Sequence, residues 1–544
     1  MKGLMQERPL LLSGLVDYAA AYHGAVEIVS RTVEGPLHRY GNAEMAGRAK
    51  RLASALARRG LRQGEIVGSL AWNHYRHLEV FHAVPAAGMV LHTANPRLFP
   101  DQIAYAVNHA GERWLFIDPA TLELAQTLAP RLSGVDTYVL LTDAASMPAA
   151  SRLPGLICYE ELLAEGDGDF AWPSFDERQA SILCYTSGTT GDPKGALYSH
   201  RGTVLQAWAV AGAGVADYAA ADSVLAVAPL YHCNAWSAPY ACAISGAKLV
   251  LPGRAHDAAS LHELIVAEDV TMAMAVPTIW LAMRDYLKET GQDLGQLRRV
   301  LSGGSAVPPA LAEALERDYG IRTIHAWGMT ETTAAASFAR PRADADAAEA
   351  AAVRRRQGVP LCGSEVCIVD EAGEPLPHDG KAVGHLMIRG HWIASAYFRR
   401  EGTPLLDDEG WMPTGDIASI DAAGSIEITD RAKDLVKSGG EWISSIQLEN
   451  AAVGHPGVAE AAVIAAPHPK WQERPLLIVV RAKGGAVTKD EIIAYLAERV
   501  AKWWLPDEVV FVDELPHTAT GKLQKTALRE RFARPKHEPE RDSA

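Results

Sequence analysis

No CxxC pair occurs among the six cysteines, Cys158, Cys184, Cys233, Cys242, Cys362 and Cys367. That spacing excludes a cysteine-rich metal framework and a disulfide-stapled scaffold, and it suits a reducing compartment, so cytoplasm is the expected location. Basic charge is also in deficit: 52 Lys and Arg face 66 Asp and Glu, a formal net charge of −14. Such a surface opposes non-specific binding to nucleic acid or to anionic membrane, and any polyanionic ligand must be met by positive charge concentrated at its own site. A membrane span is missing as well. Residues 224–247 carry no charge, but Pro229, His232, Asn234 and Pro239 within them favour a buried strand, a loop and a buried helix. Near the start, residues 10–16 are apolar but too few for an anchor, and Asp17 interrupts them, so no signal peptide is expected. No internal repeat is present.

What the chain does have is length. With 544 residues, 48% apolar and 22% charged, it exceeds what one hydrophobic core serves, so at least two domains are expected. Helical patterns at residues 42–60, 75–87, 104–109 and 121–132 alternate with apolar strand patterns at 66–71, 114–117 and 137–141. Further strands are expected at 180–185, 223–228, 248–251 and 272–276. This alternation predicts an α/β fold with a mainly parallel sheet covered by helices on both faces. From 365 to 397 short strands and turn signals predict a smaller β-rich subdomain. Beyond Asp430, helices at 447–453 and 489–499 around strands at 460–465 and 476–481 predict a compact α+β domain. Residues 335–356 alternate Ala with Asp, Glu and Arg and read as a solvated helix or excursion without chemistry. The charged terminus from Arg534 reads as frayed.

One stretch dominates the chemistry. Residues 185–195 read YTSGTTGDPKG, in which Thr186, Ser187, Thr189 and Thr190 carry hydroxyls, Gly188 is among the glycines, and Lys194 is the cation. Glycines let successive backbone N–H groups face one anion, hydroxyls add short donors, and the lysine adds a point charge, so the loop is suited to a nucleotide's phosphates. It is not a Walker loop, because Pro193 stands where the second glycine would be. Residues 325–332, HAWGMTET, place Trp327, Thr330 and Glu331 in one short segment, an aromatic for a base, a hydroxyl for a phosphate and a carboxylate for Mg²⁺. Taken alone it would serve equally as a capped helix start. Leu301 to Ser305, LSGGS, offers a glycine turn after a strand, and Val307 in place of a closing glycine excludes a nucleophile elbow. Thr414-Gly-Asp416 sets a carboxylate on a tight turn, RAKDLVKSGGEWIS begins at Arg431, and PHTATGKLQK carries Lys522 in a small polar loop.

Together these motifs, in this order and over nearly the whole length, resemble the adenylate-forming superfamily of acyl-CoA synthetases, luciferases and peptide-synthetase adenylation domains. YHCNAW at residues 231–236, HAWGMTE and KSGGEWIS are most similar to bacterial medium- and long-chain fatty acyl-CoA synthetases and methylthiopropanoate-CoA ligases. The stretches HTANPRLFPDQIAYAVNHA and KWQERPL share that similarity.

The resemblance implies an N-terminal domain of residues 1–430, with the β-rich part at about 365–430. A mobile C-terminal domain of residues 431–544 would then turn about a hinge near Lys433. It implies ATP and coenzyme A as substrates with a carboxylic acid, Mg²⁺ at Thr186 and Glu331, a homodimer, and no nucleic-acid partner. By position, Asp416 and Arg431 take the ribose, and Trp327 and Gly304 the adenine. Thr330 takes the α-phosphate, and Lys194 with residues 186–190 the other phosphates. Gly303, Ser305, His325, Ala326, Gly328, Met329 and Lys433 complete the nucleotide site. Lys522 would act at the α-phosphate, beside His232, Thr330 and Glu331. His232, Trp236, Gly304 and Trp327 would bound the acyl pocket, and Lys437, Ser438, Gly439, Gly440 and Trp442 the CoA path. Tyr231 and Cys233 depart from the family's more usual Phe and Val. Of the possible acids, a medium-chain fatty acid is the expectation, with a short thioether acid such as methylthiopropanoate or an aryl acid as alternatives. An enzyme loading a carrier protein is the alternative of another class, and no carrier domain follows Lys522. A non-catalytic nucleotide binder would be expected to lack Glu331 or Lys522.

Overall fold

The computed structural model describes all residues except 2, 35–36, 187–191, 343, 440, 519–521 and 533–544. Ser187, Gly188, Thr189, Thr190, Gly440 and the charged terminus therefore lie outside the described residues. Two large sheets carry the first part of the chain. A seven-stranded sheet runs in the order Leu156–Cys158, Thr137–Leu140, Trp114–Ile117, Ile66–Leu70, Val90–Thr93, Ala180–Tyr185 and Gly195–Ser199. All its pairs are parallel except the last, where Tyr185 faces Gly195 in an antiparallel turn across the phosphate loop. A nine-stranded sheet has five central parallel strands, Arg322–Trp327, Arg299–Gly303, Met272–Ala275, Ser223–Ala226 and Lys248–Leu251, with Glu27–Ser30 added in parallel beyond them. Such strands have both faces covered, which is why they read as continuous apolar runs.

The helices follow their periodic apolar faces. Asn42–Arg58 buries Met45, Ala49, Leu52 and Leu56, and Tyr75–Ala86 is buried along its whole length between the two sheets. One core joins both sheets through Phe81, Leu91, Phe116, Ile182 and Met274. A four-stranded antiparallel sheet follows, Ser364–Val369, Gly384–Gly390, Met412–Ile420 and Ile426–Arg431. From Val436 a separate sheet forms around the paired strands Val458–His468 and Gln472–Arg481, backed by helices Ser445–Val453 and Lys489–Ala497 with its own core of Val463, Leu477, Ile492 and Leu496. None of the described helices is long and apolar enough to cross a membrane.

The alanine-rich stretch departs from expectation at its start. Ala335 to Ala339 are buried, and Ser337–Phe338 forms a strand pairing with Arg322–Trp327. Only Ala347–Arg355 is the expected surface helix, opened by an Asp346 cap and tied down by Arg354 to Glu316 at 3.0 Å.

Candidate active site

Parallel strands deliver their carboxyl ends to one side of a sheet, and the loops that follow them build the site there. Arg299–Gly303 leads into Gly304 and Ser305, Arg322–Trp327 into Gly328 to Glu331, and Ser223–Ala226 into His232 and Trp236. These loops, with Thr186, Lys194, Arg431, Lys433 and Lys522, line one cleft of about 600 Å³. Seven of the lining residues are lysines or arginines beside six carboxylates, a more positive balance than that of the whole chain and the direction that a polyanion requires.

At the phosphate end, Thr186 and Lys194 close the turn on each other. The Thr186 N–H donates to the Lys194 carbonyl at 2.8 Å, and the Lys194 N–H donates to Thr186 Oγ1 at 3.2 Å. Glu331 is 6% exposed, and its Oε1 accepts from the Tyr397 hydroxyl at 2.5 Å. The Thr330 carbonyl accepts from the Tyr198 hydroxyl at 2.6 Å, while the Cys233 thiol donates towards Thr330 Oγ1 at 3.6 Å. Burial pushes the Cys233 thiol up to about 12, so it stays a neutral thiol rather than a nucleophile.

Behind the cleft wall, Asp416 is 3% exposed and accepts from Trp327 Nε1 at 2.8 Å and from Arg431 Nε at 2.7 Å. Burial raises its pKa, and the Arg431 charge opposes that rise. Asp416 thus orients Trp327 and Arg431, both of which face the cleft. His325 stands apart from its neighbours: it is buried off the cleft, and burial lowers its pKa to about 4.

The convergence point is Gly304, at φ +84°. A Cβ built there would lie 3.6 Å from Lys522 Cε and 3.9 Å from Trp236 Cζ2. Lys522, from the C-terminal part, and Trp236, from the first part, therefore meet over one bare backbone position. Burial and then the Arg431 charge lower the Lys522 pKa, with Asp416 and Glu331 pulling the other way. An arriving anion would relieve that penalty. The Lys522 loop is anchored by the helix after it: Lys525 Nζ pairs with Glu449 at 2.7 Å and bonds Ser445 Oγ at 2.5 Å, and Arg529 pairs with Asp434. Burial pushes Glu449 up to about 7, against the pull of Lys525.

Trp236 is set by an unusual backbone. Cys233 to Ser237 all have positive φ, between 47° and 62°, a left-handed turn of five residues with no glycine. Each L-residue there costs about 1–2 kcal/mol. Burial of Cys233, Asn234, Ala235 and Ser237 holds the turn, and the Ser237 hydroxyl donates to Gln206. Beside it His232 is neutral, its pKa lowered to about 3 by burial and then by Lys522.

The described candidate CoA residues do not line this cleft. Lys437, Ser438 and Trp442 lie on the hairpin of Val436–Ser438 and Glu441–Ile443, with Lys437 Nζ 6.0 Å from the Trp442 ring centre. Gly439 is at φ +62°, and a Cβ there would sit 2.7 Å from Trp471. Residues that the sequence did not flag are Tyr397 at the polar end, Tyr198 behind Thr330, and Val276, Pro277, Ile279 and Leu281 along the apolar wall. Tyrosines in strand-like stretches read as core, so only tertiary placement reveals them.

Residues 16–398 match the AMP-binding enzyme family and residues 447–522 the AMP-binding enzyme C-terminal domain. The chain belongs to the AMP-binding enzyme family. Its relatives include 3-methylmercaptopropionyl-CoA ligase of Ruegeria lacuscaerulensis, 48% identical over 98% of this chain and 99% of that one. Medium-chain-fatty-acid–CoA ligase of Ectopseudomonas oleovorans is 45% identical over 98% of each. Among solved structures, the anthranilate CoA ligase AuaEII in complex with anthranoyl-AMP superposes with a TM-score of 0.86 at 25% identity, covering 97% of this chain and 99% of that one. This family member therefore has relatives of the same length that join acids to CoA.

Proposed function

We propose that this AMP-binding enzyme is an acyl-CoA ligase that converts a carboxylic acid, ATP and CoA to acyl-CoA, AMP and pyrophosphate through an acyl-adenylate. The observation that carries the proposal is Lys522 over Gly304, opposite Trp236 and close enough to His232 to depress its pKa. A carboxylate entering past Trp236 would meet the α-phosphate where Lys522 and Thr330 converge. Attack on phosphorus forms the acyl–phosphate bond and releases pyrophosphate. Lys522 offsets the charge that grows at the α-phosphate, and neutral His232 orients the attacking carboxylate without adding charge. In the second half-reaction the CoA thiol gives its proton to water, its sulfur bonds the acyl carbon, and the bond from that carbon to the phosphate oxygen breaks to release AMP.

Mg²⁺ fits the residues in one respect. Among the described residues no group of three or more His, Cys, Asp or Glu side chains could hold a metal, and Glu331 with Thr186 supplies only part of a shell. Mg²⁺ bound by one carboxylate plus substrate phosphates and water has that composition, and when bound it would neutralise phosphate charge. We assign Arg431, with Asp416 holding it from behind, to the ribose, Trp327 and Gly304 to the adenine, and Lys437, Gly439 and Trp442 to the CoA path. The boundary near Asp430, the hinge at Lys433, a homodimer and a cytoplasmic location complete the proposal. Unpaired cysteines are consistent with that location.

The acid is a medium-chain fatty acid in our reading, supported by the apolar wall of Val276, Ile279 and Leu281 and by the relative from Ectopseudomonas. A short thioether acid is the second reading, supported by the Ruegeria relative and by the half-buried Trp236, which would act as a floor. Pyrophosphate release across an acid panel, with and without CoA, tests both. AMP accumulation is expected, and ADP with an acyl phosphate would overturn the reaction class.

A further inference from the structure

One segment, residues 394–399, touches both the loop that carries Glu331 and the end of the phosphate turn at Gly195. The Ala394 N–H donates to the Glu331 carbonyl at 2.8 Å, and the Phe398 N–H donates to the Gly195 carbonyl at 2.8 Å. Arg399 donates to the His109 carbonyl at 2.6 Å, and His109 Nδ1 shares a hydrogen bond of 2.7 Å with the Tyr185 hydroxyl. The segment thus bonds the Gly195 end of the phosphate turn and the glutamate loop directly, and is linked to the Tyr185 end through His109. Tyr397 stands at its centre and lines the cleft. Its hydroxyl bonds Glu331 Oε1 at 2.5 Å, and the Lys194 ammonium lies over its ring, 4.9 Å from the centre.

We infer that Tyr397 is a positioning residue that holds the Glu331 carboxylate and the Lys194 ammonium at a set separation for a metal-bound polyphosphate. The inference rests on the reading of Glu331 as a metal ligand. One ring serves both charges. Its hydroxyl takes one carboxylate oxygen and leaves Oε2 without a partner among the described residues, while its face receives the cation at cation–π range.

The test uses the full chain with α,β-methylene-ATP and Mn²⁺ as the spectroscopic probe. Tyr397→Phe keeps the ring and removes only the hydroxyl. Mn²⁺ affinity in the presence of the analogue, read by electron paramagnetic resonance, is expected to fall about 10-fold, the scale for losing a group that orients a metal ligand. Metal-free binding of the analogue should be unchanged, because the ring under Lys194 is retained. Glu331→Gln should lower Mn²⁺ affinity by itself, and adding Tyr397→Phe to it should lower it no further. Unchanged Mn²⁺ affinity in Tyr397→Phe, beside a loss in Glu331→Gln, would overturn the inference and leave the metal reading intact. Additive losses in the double variant would also overturn it. Unchanged affinity in Glu331→Gln would remove the metal reading and the inference with it.

Discussion

The polar and the apolar halves of the cleft are built by opposite means. In the polar half, strands and hydrogen bonds fix each group: Tyr397 on Glu331, Tyr198 on Thr330, and Trp327 with Arg431 on Asp416. In the apolar half, the wall that carries Trp236 is a left-handed turn, and within it the amide of Asn234 is fully buried with neither Oδ1 nor Nδ2 partnered among the described residues. An unpaired buried amide and five strained residues are costs that a fold tolerates where shape is the requirement. Charge must be met at hydrogen-bond distance, so each group of the polar half has a partner, although Thr333, Ala334 and Arg399 there also hold positive φ. An acyl chain asks only for volume, so the other half can be shaped by strain.

The largest effect that would sharpen this contrast is in the polar half. Glu331→Gln should lower acid-dependent ATP–pyrophosphate exchange by about two to three decades, the scale for losing one preorganised stabilising group. The order of preference among acids should stay the same. A change in acid preference would break the separation of the halves.

Trp236→Ala should do the reverse. Removing the indole opens volume beside Gly304 and should shift relative kcat/KM toward longer acids by about one to two decades. The KM for ATP should hold. Identical relative rates across acids of increasing length would show that Trp236 does not bound the acyl chain.

A smaller effect concerns protons. His232 is neutral down to a pKa of about 3, and His77, His82, His200 and His325 to about 4. Each folded pKa lies below the unfolded value of about 6.5. Their contribution to stability is present above that value and is lost as pH falls towards 4, because the unfolded chain binds more protons. Scanning calorimetry should show Tm falling across that window. Exchange activity should show no limb from His232 between pH 6 and 8, and a limb there that vanishes in His232→Ala would contradict its neutral state.

The same contrast governed what could be read from the sequence. Anion binding demands glycine, hydroxyls and a cation together, so residues 185–195 stood out as a candidate phosphate loop, and the alternation of apolar runs announced the parallel sheets. The turn at residues 233–237 carries no glycine, so nothing local marked its positive φ. Tyr397 and Tyr198 act through partners distant in sequence, which no motif encodes. Glu27–Ser30 was likewise illegible, because its place beside Lys248–Leu251 is a tertiary pairing of a very short strand. Ala335 to Ala339 resembled the solvated run that follows them, although they are buried behind the glutamate loop. His325 was grouped with its neighbours by motif, but it is buried and is not among the residues that line the cleft.

In the proposed cycle, Lys522 enters the cleft for the first half-reaction only. Gly439→Leu is a poor probe of the second, since the positive φ and Trp471 would distort the hairpin by themselves. Lys522→Ala is cleaner. Exchange with ATP, acid and pyrophosphate should fall by about two to three decades, while thioester formation from synthetic acyl-adenylate and CoA should proceed near the parent rate. Equal losses in the two assays would contradict the account.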